Sequence, residues 1–274
     1  MAHTQLDKIY NENCLDTMAR MEDNSIDLTV TSPPYDNLRT YNGYSFDFES
    51  IAKELYRVTK KGGVVVWNVN DSKVKGNKSL TSFKQALYFQ HIGFFVHDVM
   101  IWQKSSFSSP IKNMYHNVFE YMFILSKGKP KTFNPIIDRK NKKAGTKTTS
   151  TFREADGSTS KRSLKTINEY GKRFNIWQIN EVKNNTYGKH VAPFPEQLAN
   201  DHIISWSNEN DLVYDPFMGS GTVAKMSILN NRSWIGSEIS SEYCEIIEER
   251  VKKAWEEKRK EKDLQAQTLF GTQN

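Results

Sequence analysis

Two short stretches hold the residue types that could do chemistry. The first, Thr31-Ser32-Pro33-Pro34-Tyr35, follows directly on the run from Ile26 to Val30. A polar residue, two prolines and an aromatic at the end of a buried strand suit one task well: holding a flat base that carries an exocyclic amino group. Proline fixes its own φ and has no N–H, so the carbonyls here are pure acceptors aimed in a set direction. Ser32 adds a second acceptor, and Tyr35 offers a face for stacking. The same five residues also fit a polar turn after a strand, since Ser-Pro-Pro is at home in loops.

The second stretch shifts the balance. Asp215-Pro216-Phe217-Met218-Gly219-Ser220-Gly221-Thr222 sits between an apolar run, Leu212 to Tyr214, and a segment with Val223, Met226 and Leu229 at helical spacing. Strand, glycine loop and helix in that order are how a doubly wound sheet approaches a nucleoside cofactor. Gly219 and Gly221 let a ligand come close to the backbone. The dinucleotide fingerprint would need a third glycine, and a phosphate-binding NTPase loop would need a following GK[ST]. An acidic residue is expected at the end of the next strand to take ribose hydroxyls. Glu238, 23 residues after Asp215 in Trp234-Ile235-Gly236-Ser237-Glu238, meets that expectation.

The elements that must position these residues can be read around them. Ile9-Tyr10 starts a strand, Cys14 to Met21 a helix, and Ser25 to Val30 the strand that delivers Ser32. A helix over 50–59 buries Ile51, Leu55 and Val58, with Ser50 as its cap and Lys60-Lys61-Gly62-Gly63 as its stop. Val64 to Trp67 is a buried strand, and Ser82 to His91 a helix. Phe94 to Lys104 and Glu120 to Ser126 are strands able to pair antiparallel. Residues 133–189 show no α/β rhythm, and Lys140 to Ser163 is the most loop-like part. Pro195 to Ser205 is a helix leading to the glycine loop. Glu242 to Lys262 is a long charged helix striped by Ile246, Ile247, Val251 and Trp255, and the last dozen residues should fray.

The 274 residues, 37% hydrophobic, allow one large domain or two small ones. No apolar run approaches a membrane span, and Asp7 and Glu12 interrupt any signal-peptide pattern. Cys14 and Cys244 stand in no metal-like spacing, so reduced structural cysteines, no metal and a cytoplasmic setting are expected. Charge is uneven. Residues 127–189 carry 16 Lys and Arg against 5 Asp and Glu, or +11, while the rest has 22 against 27, or −5. A basic insert in an otherwise acidic chain points to a polyanion, although a solvated lysine-rich loop has the same composition.

Together, Ser-Pro-Pro-Tyr and Phe-Met-Gly-Ser-Gly resemble the motifs of amino-methylating DNA methyltransferases, in the order of their beta group. The resemblance takes in Asn13-Cys14-Leu15-Asp16, Asp23 to Asp27, Lys60 to Gly63, Asn117 to Tyr121 with Ser126-Lys127, and His190 to Leu198. It implies an α/β, Rossmann-like methyltransferase sheet that binds S-adenosylmethionine and is circularly permuted. By resemblance, 1–126 is the catalytic half, 127–189 a basic target-recognition insert and 190–274 the cofactor-binding half. It also places Ser32, Pro33, Pro34 and Tyr35 in catalysis. Thr31, Asp215, Phe217, Gly219, Gly221 and Thr222 fall around the cofactor, Glu238 at its ribose, Leu15 and Asp16 at its adenine end, and Pro195 near its methionine part.

The expected partner is double-stranded DNA, with no membrane; a homodimer and a cognate restriction endonuclease are further partners this resemblance admits. Family members with Ser before Pro-Pro mostly methylate cytosine N4 and those with Asp mostly adenine N6, so N4 of cytosine is the expected target and adenine the alternative. A non-catalytic or RNA-directed nucleic-acid-binding protein on the same fold is a more remote reading. Asn in place of Ser32 would point to a protein-glutamine target, and a nicotinamide oxidoreductase would need the fuller glycine fingerprint.

Overall fold

A computed structural model of the chain describes residues 4–34, 46–107, 112–148, 151–161, 165–182 and 194–270. Two compact units divide it: Met1–Asn134 with Ile176–Asn274, and Pro135–Asn175.

The larger unit is built on eight strands: β1 (Lys8–Tyr10), β2 (Ile26–Thr31), β3 (Thr59–Val69), β4 (Phe95–Gln103), β5 (Phe119–Ser126), β6 (Ile176–Gln178), β7 (Leu212–Asp215) and β8 (Ser233–Ser237). Their order across the sheet is β1-β8-β7-β2-β3-β5-β4-β6. Only β5 runs against its neighbours; all other pairs are parallel. A sheet of this kind needs cover on both faces, and the strands show it. In β3, Val64 and Val66 face one core cluster while Val65, Trp67 and Val69 face the other; Met122 and Ile124 alternate in the same way with Phe123 and Leu125 in β5.

The first cluster includes residues of α4 (Glu196–Trp206), α5 (Thr222–Leu229) and α6 (Ser241–Phe270). The second includes residues of α1 (Cys14–Ala19), α2 (Phe48–Val58) and α3 (Thr81–His91). The result is three layers, α/β/α, with the C-terminal β7–α5–β8 unit inserted between the N-terminal β1 and β2.

Several local expectations shift. Asp47, rather than Ser50, caps α2, its Oδ1 accepting from the Ser50 N–H at 3.2 Å. Lys60 to Gly63 do not stop a helix before a separate strand; β3 starts at Thr59 and bulges there, with Ile26 opposite Thr59 but Leu28 opposite Val64. Gly62 makes the bulge possible: its φ is +83°, and a Cβ there would lie 2.4 Å from Lys131 Cγ. At the C-terminus the expected fraying gives way to a helix that runs on to Phe270.

The smaller unit contradicts the loop-like reading of 140–163. Three short antiparallel ladders are nested: 139–140 with 170–171, 147–148 with 165–166, and 151–153 with 159–161. Together they form one long irregular hairpin. Asp138 pairs with Arg173 at 2.5 Å near its base, and Arg139 lies over the Phe174 ring. Because ladders of two or three residues bury little, no apolar alternation announced them. Residues 127–134 and 176–182, inside the basic stretch, belong to the larger unit.

Candidate active site

The carboxyl ends of β2, β7 and β8 lie side by side, so the two motifs meet although 184 residues separate Thr31 from Asp215. Thr31 Oγ1 donates to Asp215 Oδ1 at 2.7 Å. The same oxygen accepts the Phe217 N–H at 3.0 Å, closing an Asx-type turn that starts the glycine loop. Burial pushes the Asp215 carboxyl up to about 7, and the Glu238 charge acts in the same direction. Phe217 meets Phe46 edge-on at 5.7 Å and Trp67 at 6.3 Å.

Glu238 holds the loop from β8. Its Oε2 accepts the Gly219 N–H and its Oε1 the Ser240 N–H, both at 2.9 Å. Burial raises its pKa. Each carboxylate oxygen has two acceptor sites, so capacity is left for a diol. Gly219 and Gly221 have φ of +54° and +79°, and Gly221 is the cap residue of α5. A Cβ on Gly221 would stand 3.1 Å from Ile247 Cγ1.

The first turn of α1 joins this edge because β1 pairs with β8. Asn11 Nδ2 donates to the Glu238 carbonyl at 2.9 Å, and the Glu238 N–H to the Tyr10 carbonyl at 3.0 Å. Leu15 is half-buried and Asp16 exposed in that turn, behind the Asn13 cap. Left-handed glycines, a buried carboxylate with spare acceptors and an apolar wall at Phe217 fit an adenosyl group. Pro195 is the N-cap residue of α4 and is buried. Ser32 and Pro34 are half-buried and Pro33 buried. Tyr35, with Asp36, Asn37 and Arg39, lies outside the described residues.

Two groups of residues had no part in the sequence reading. Arg250 of α6 grips the loop from behind: its Nη1 donates to the Ser220 carbonyl (2.5 Å), Ser220 Oγ (3.0 Å) and Thr222 Oγ1 (3.3 Å). Its Nη2 meets Glu196 Oε1 at 2.8 Å, and Lys225 Nζ reaches both Glu196 oxygens at 3.0 Å. Helices α4, α5 and α6 are thus tied to the loop and to one another. Thr222, expected beside a ligand, is buried against this clamp. The second group lies at the carboxyl end of β3, next to β2. Asn68 Nδ2 donates to Glu120 Oε2 at 2.6 Å, and Lys104 Nζ pairs with Glu120 Oε1 at 2.5 Å, with Asn68 and Glu120 both buried.

Comparison with known proteins agrees with this fold. The DNA methylase model of the N6/N4 methyltransferases matches residues 26–249. The orphan methyltransferase M.BamHII of Bacillus amyloliquefaciens is 58% identical over 238 residues, covering 84% of this chain and 90% of that protein. Among solved structures, the PvuII DNA methyltransferase (cytosine-N4-specific) superposes with a TM-score of 0.67 at 22% identity, over 90% of this chain and 87% of its own. The M1.HpyAVI–SAM complex does so with 0.60 at 20% identity, over 89% and 98%. No described helix is long and apolar enough to cross a membrane. The chain therefore belongs to the N6/N4 DNA methylase family, DNA methyltransferases of the beta-group type whose methyl donor is S-adenosylmethionine.

Proposed function

We propose that the chain methylates the exocyclic N4 of cytosine in duplex DNA. The observation that carries this is the bonded junction of the two motifs: Thr31, directly before Ser32-Pro33-Pro34, is held by Asp215 at the start of the glycine loop. A base amino group at Ser32 then stands next to whatever the loop binds. When bound, the cofactor supplies an electrophilic methyl on a sulfonium.

On this reading Glu238 takes the ribose hydroxyls. Phe217, with Leu15 and Asp16, borders the adenine, and Pro195 flanks the methionine part. Asp215, Thr31, Gly219, Gly221 and Thr222 shape the loop that holds them.

An exocyclic amino nitrogen is conjugated with its ring and is a poor nucleophile. Ser32 Oγ and the Pro33 carbonyl accept its two N–H bonds, which favours a more tetrahedral nitrogen and frees its lone pair for direct displacement. Proximity provides much of the remaining acceleration. The target is out of reach inside a duplex and has to be flipped, with Tyr35 as its stacking platform. Basic side chains of 127–189 supply phosphate contacts and part of the sequence readout. Serine before Pro-Pro and the likeness to a cytosine-N4-specific enzyme support cytosine; adenine N6 is the alternative within the family.

The partner is double-stranded DNA, and a homodimer belongs to the same proposal. The orphan status in the name of the Bacillus relative favours action without a companion nuclease. Mass spectrometry of nucleosides from duplex DNA incubated with labelled S-adenosylmethionine tests the reading. Labelled N4-methylcytosine is the expected product, and labelled N6-methyladenine would overturn the base assignment.

A further inference from the structure

We propose that residues 112–118, which lead from the loop after β4 into β5, are a second DNA-contacting element, and that Tyr115 among them stacks into the duplex where a flipped base leaves a gap. The inference rests on the flipped-base reading. Because β5 runs antiparallel to β4, this loop leaves the sheet at the same edge as Ser32. The cofactor loop follows β7, on one side of β2; β3, β5 and β4 lie on the other. A target strand reaching Ser32 without crossing the cofactor loop passes over that other side.

The loop is mounted for such a contact. On the β4 stem, Glu181 accepts from the Ser105 N–H (3.2 Å), Ser105 Oγ (2.7 Å) and Ser106 Oγ (3.2 Å). On the β5 stem, Asn117 Nδ2 donates to Asn70 Oδ1 at 3.3 Å, and Asn70 Nδ2 to the Phe119 carbonyl at 3.2 Å. Asn70 directly follows β3, the strand beside β2. Across the loop, Phe107 and His116 stack with centroids 3.9 Å apart and planes within 8°. Lys73 Nζ lies 3.5 Å from Met114 Sδ.

With both stems pinned and the neighbouring His116 stacked on Phe107, Tyr115 is left 98% exposed. Lys104 is paired with Glu120 and Glu181 with the Ser105 and Ser106 stem, which leaves Lys112 in the loop sequence and Lys73 beside Met114 as the cations flanking this ring. Packing does not use this ring, and the face of a nucleobase is the partner the site offers it.

The test compares Tyr115→Ala and Tyr115→Phe with wild type, after the methylated sequence has been mapped on plasmid DNA treated with the enzyme. Two short duplexes carry that sequence, one fully paired and one mismatched at the target base, where flipping costs less. On the paired duplex Tyr115→Ala should methylate about tenfold more slowly, the loss of one aromatic–base stack. On the mismatched duplex it should come within about twofold of wild type. Tyr115→Phe should match wild type on both, and S-adenosylmethionine affinity should not change. An equal loss on both duplexes, or no loss on either, overturns the proposal for Tyr115. Neither result touches the flipped-base reading, which wild type tests alone by its preference between the two duplexes.

Discussion

Replacing Asp215 by asparagine should stabilise the protein, by an amount that grows with pH. The side chain is buried, and burial lifts its pKa from 3.8 to about 7. An acid whose folded pKa lies above its unfolded value holds its proton more tightly in the folded state, so stability is lost as pH rises between the two values. With 3.8 unfolded and about 7 folded, the charge on Asp215 costs ~1.7 kcal/mol at pH 5 and ~4 kcal/mol at pH 8. Asparagine carries no charge, yet its Oδ1 can still accept from Thr31 Oγ1 and the Phe217 N–H. The stability difference between variant and wild type should therefore widen by roughly 2–3 kcal/mol from pH 5 to pH 8. Urea unfolding of both proteins at the two pH values reads it directly, from midpoints at a common m. Glu238 titrates in both proteins and largely cancels. A difference that stays constant across the range would refute the assignment of a buried, destabilising charge to Asp215.

Other variants probe the remaining parts. Gly221→Val places a β-branched residue at a φ of +79° and against Ile247. Calorimetry should find no measurable S-adenosylmethionine binding, and wild-type affinity would contradict the loop's role. Ser32→Ala removes one acceptor for the target amino group. Turnover should fall about a hundredfold, within the range seen when one preorganised polar group is lost, while cofactor affinity stays nearly intact; undiminished turnover would sink the assignment. Changing Lys140, Lys142, Lys143 and Lys147 to glutamine should weaken DNA binding and flatten its dependence on log salt by about 0.9 for each phosphate no longer neutralised. An unchanged slope would remove this hairpin from the DNA interface.

What could be read from sequence followed the apolar patterning. The strands carrying Ser32 and Asp215, the antiparallel pair near 94–126 and the helix after Gly221 announced themselves because their faces are buried at regular periods. The turn of the glycine loop and a carboxylate just past β8 were legible because the order strand, glycine loop, helix and strand narrows the residue choice at both places. The junction between Thr31 and Asp215 was not, since an interaction across 184 residues has no local signature. Arg250 left a fainter trace, as a charge beside the apolar face of α6 that includes Cys244, Ile247 and Ala254. A half-buried arginine there needs partners, and the glycine loop and Glu196 are those partners. The hairpin of 139–171 escaped because its ladders are held by backbone pairing with almost no apolar alternation.

The insertion of β7 and β8 between β1 and β2 has a consequence for synthesis on the ribosome. Residues 1–69 emerge early, yet one edge of β2 and the partner side of β1 stay unpaired until Leu212–Ser237 have been made. The gap between β1 and β2 is thus filled last, by long-range pairings of the kind that slow folding. Meanwhile Leu28 and Val30, buried in the finished sheet, lie on a strand whose open edge can pair with a neighbouring chain. Nascent chains that stall before β7 should be captured by chaperones or aggregate. Chains that carry β7 and β8 close that edge and assemble the glycine loop in the same step.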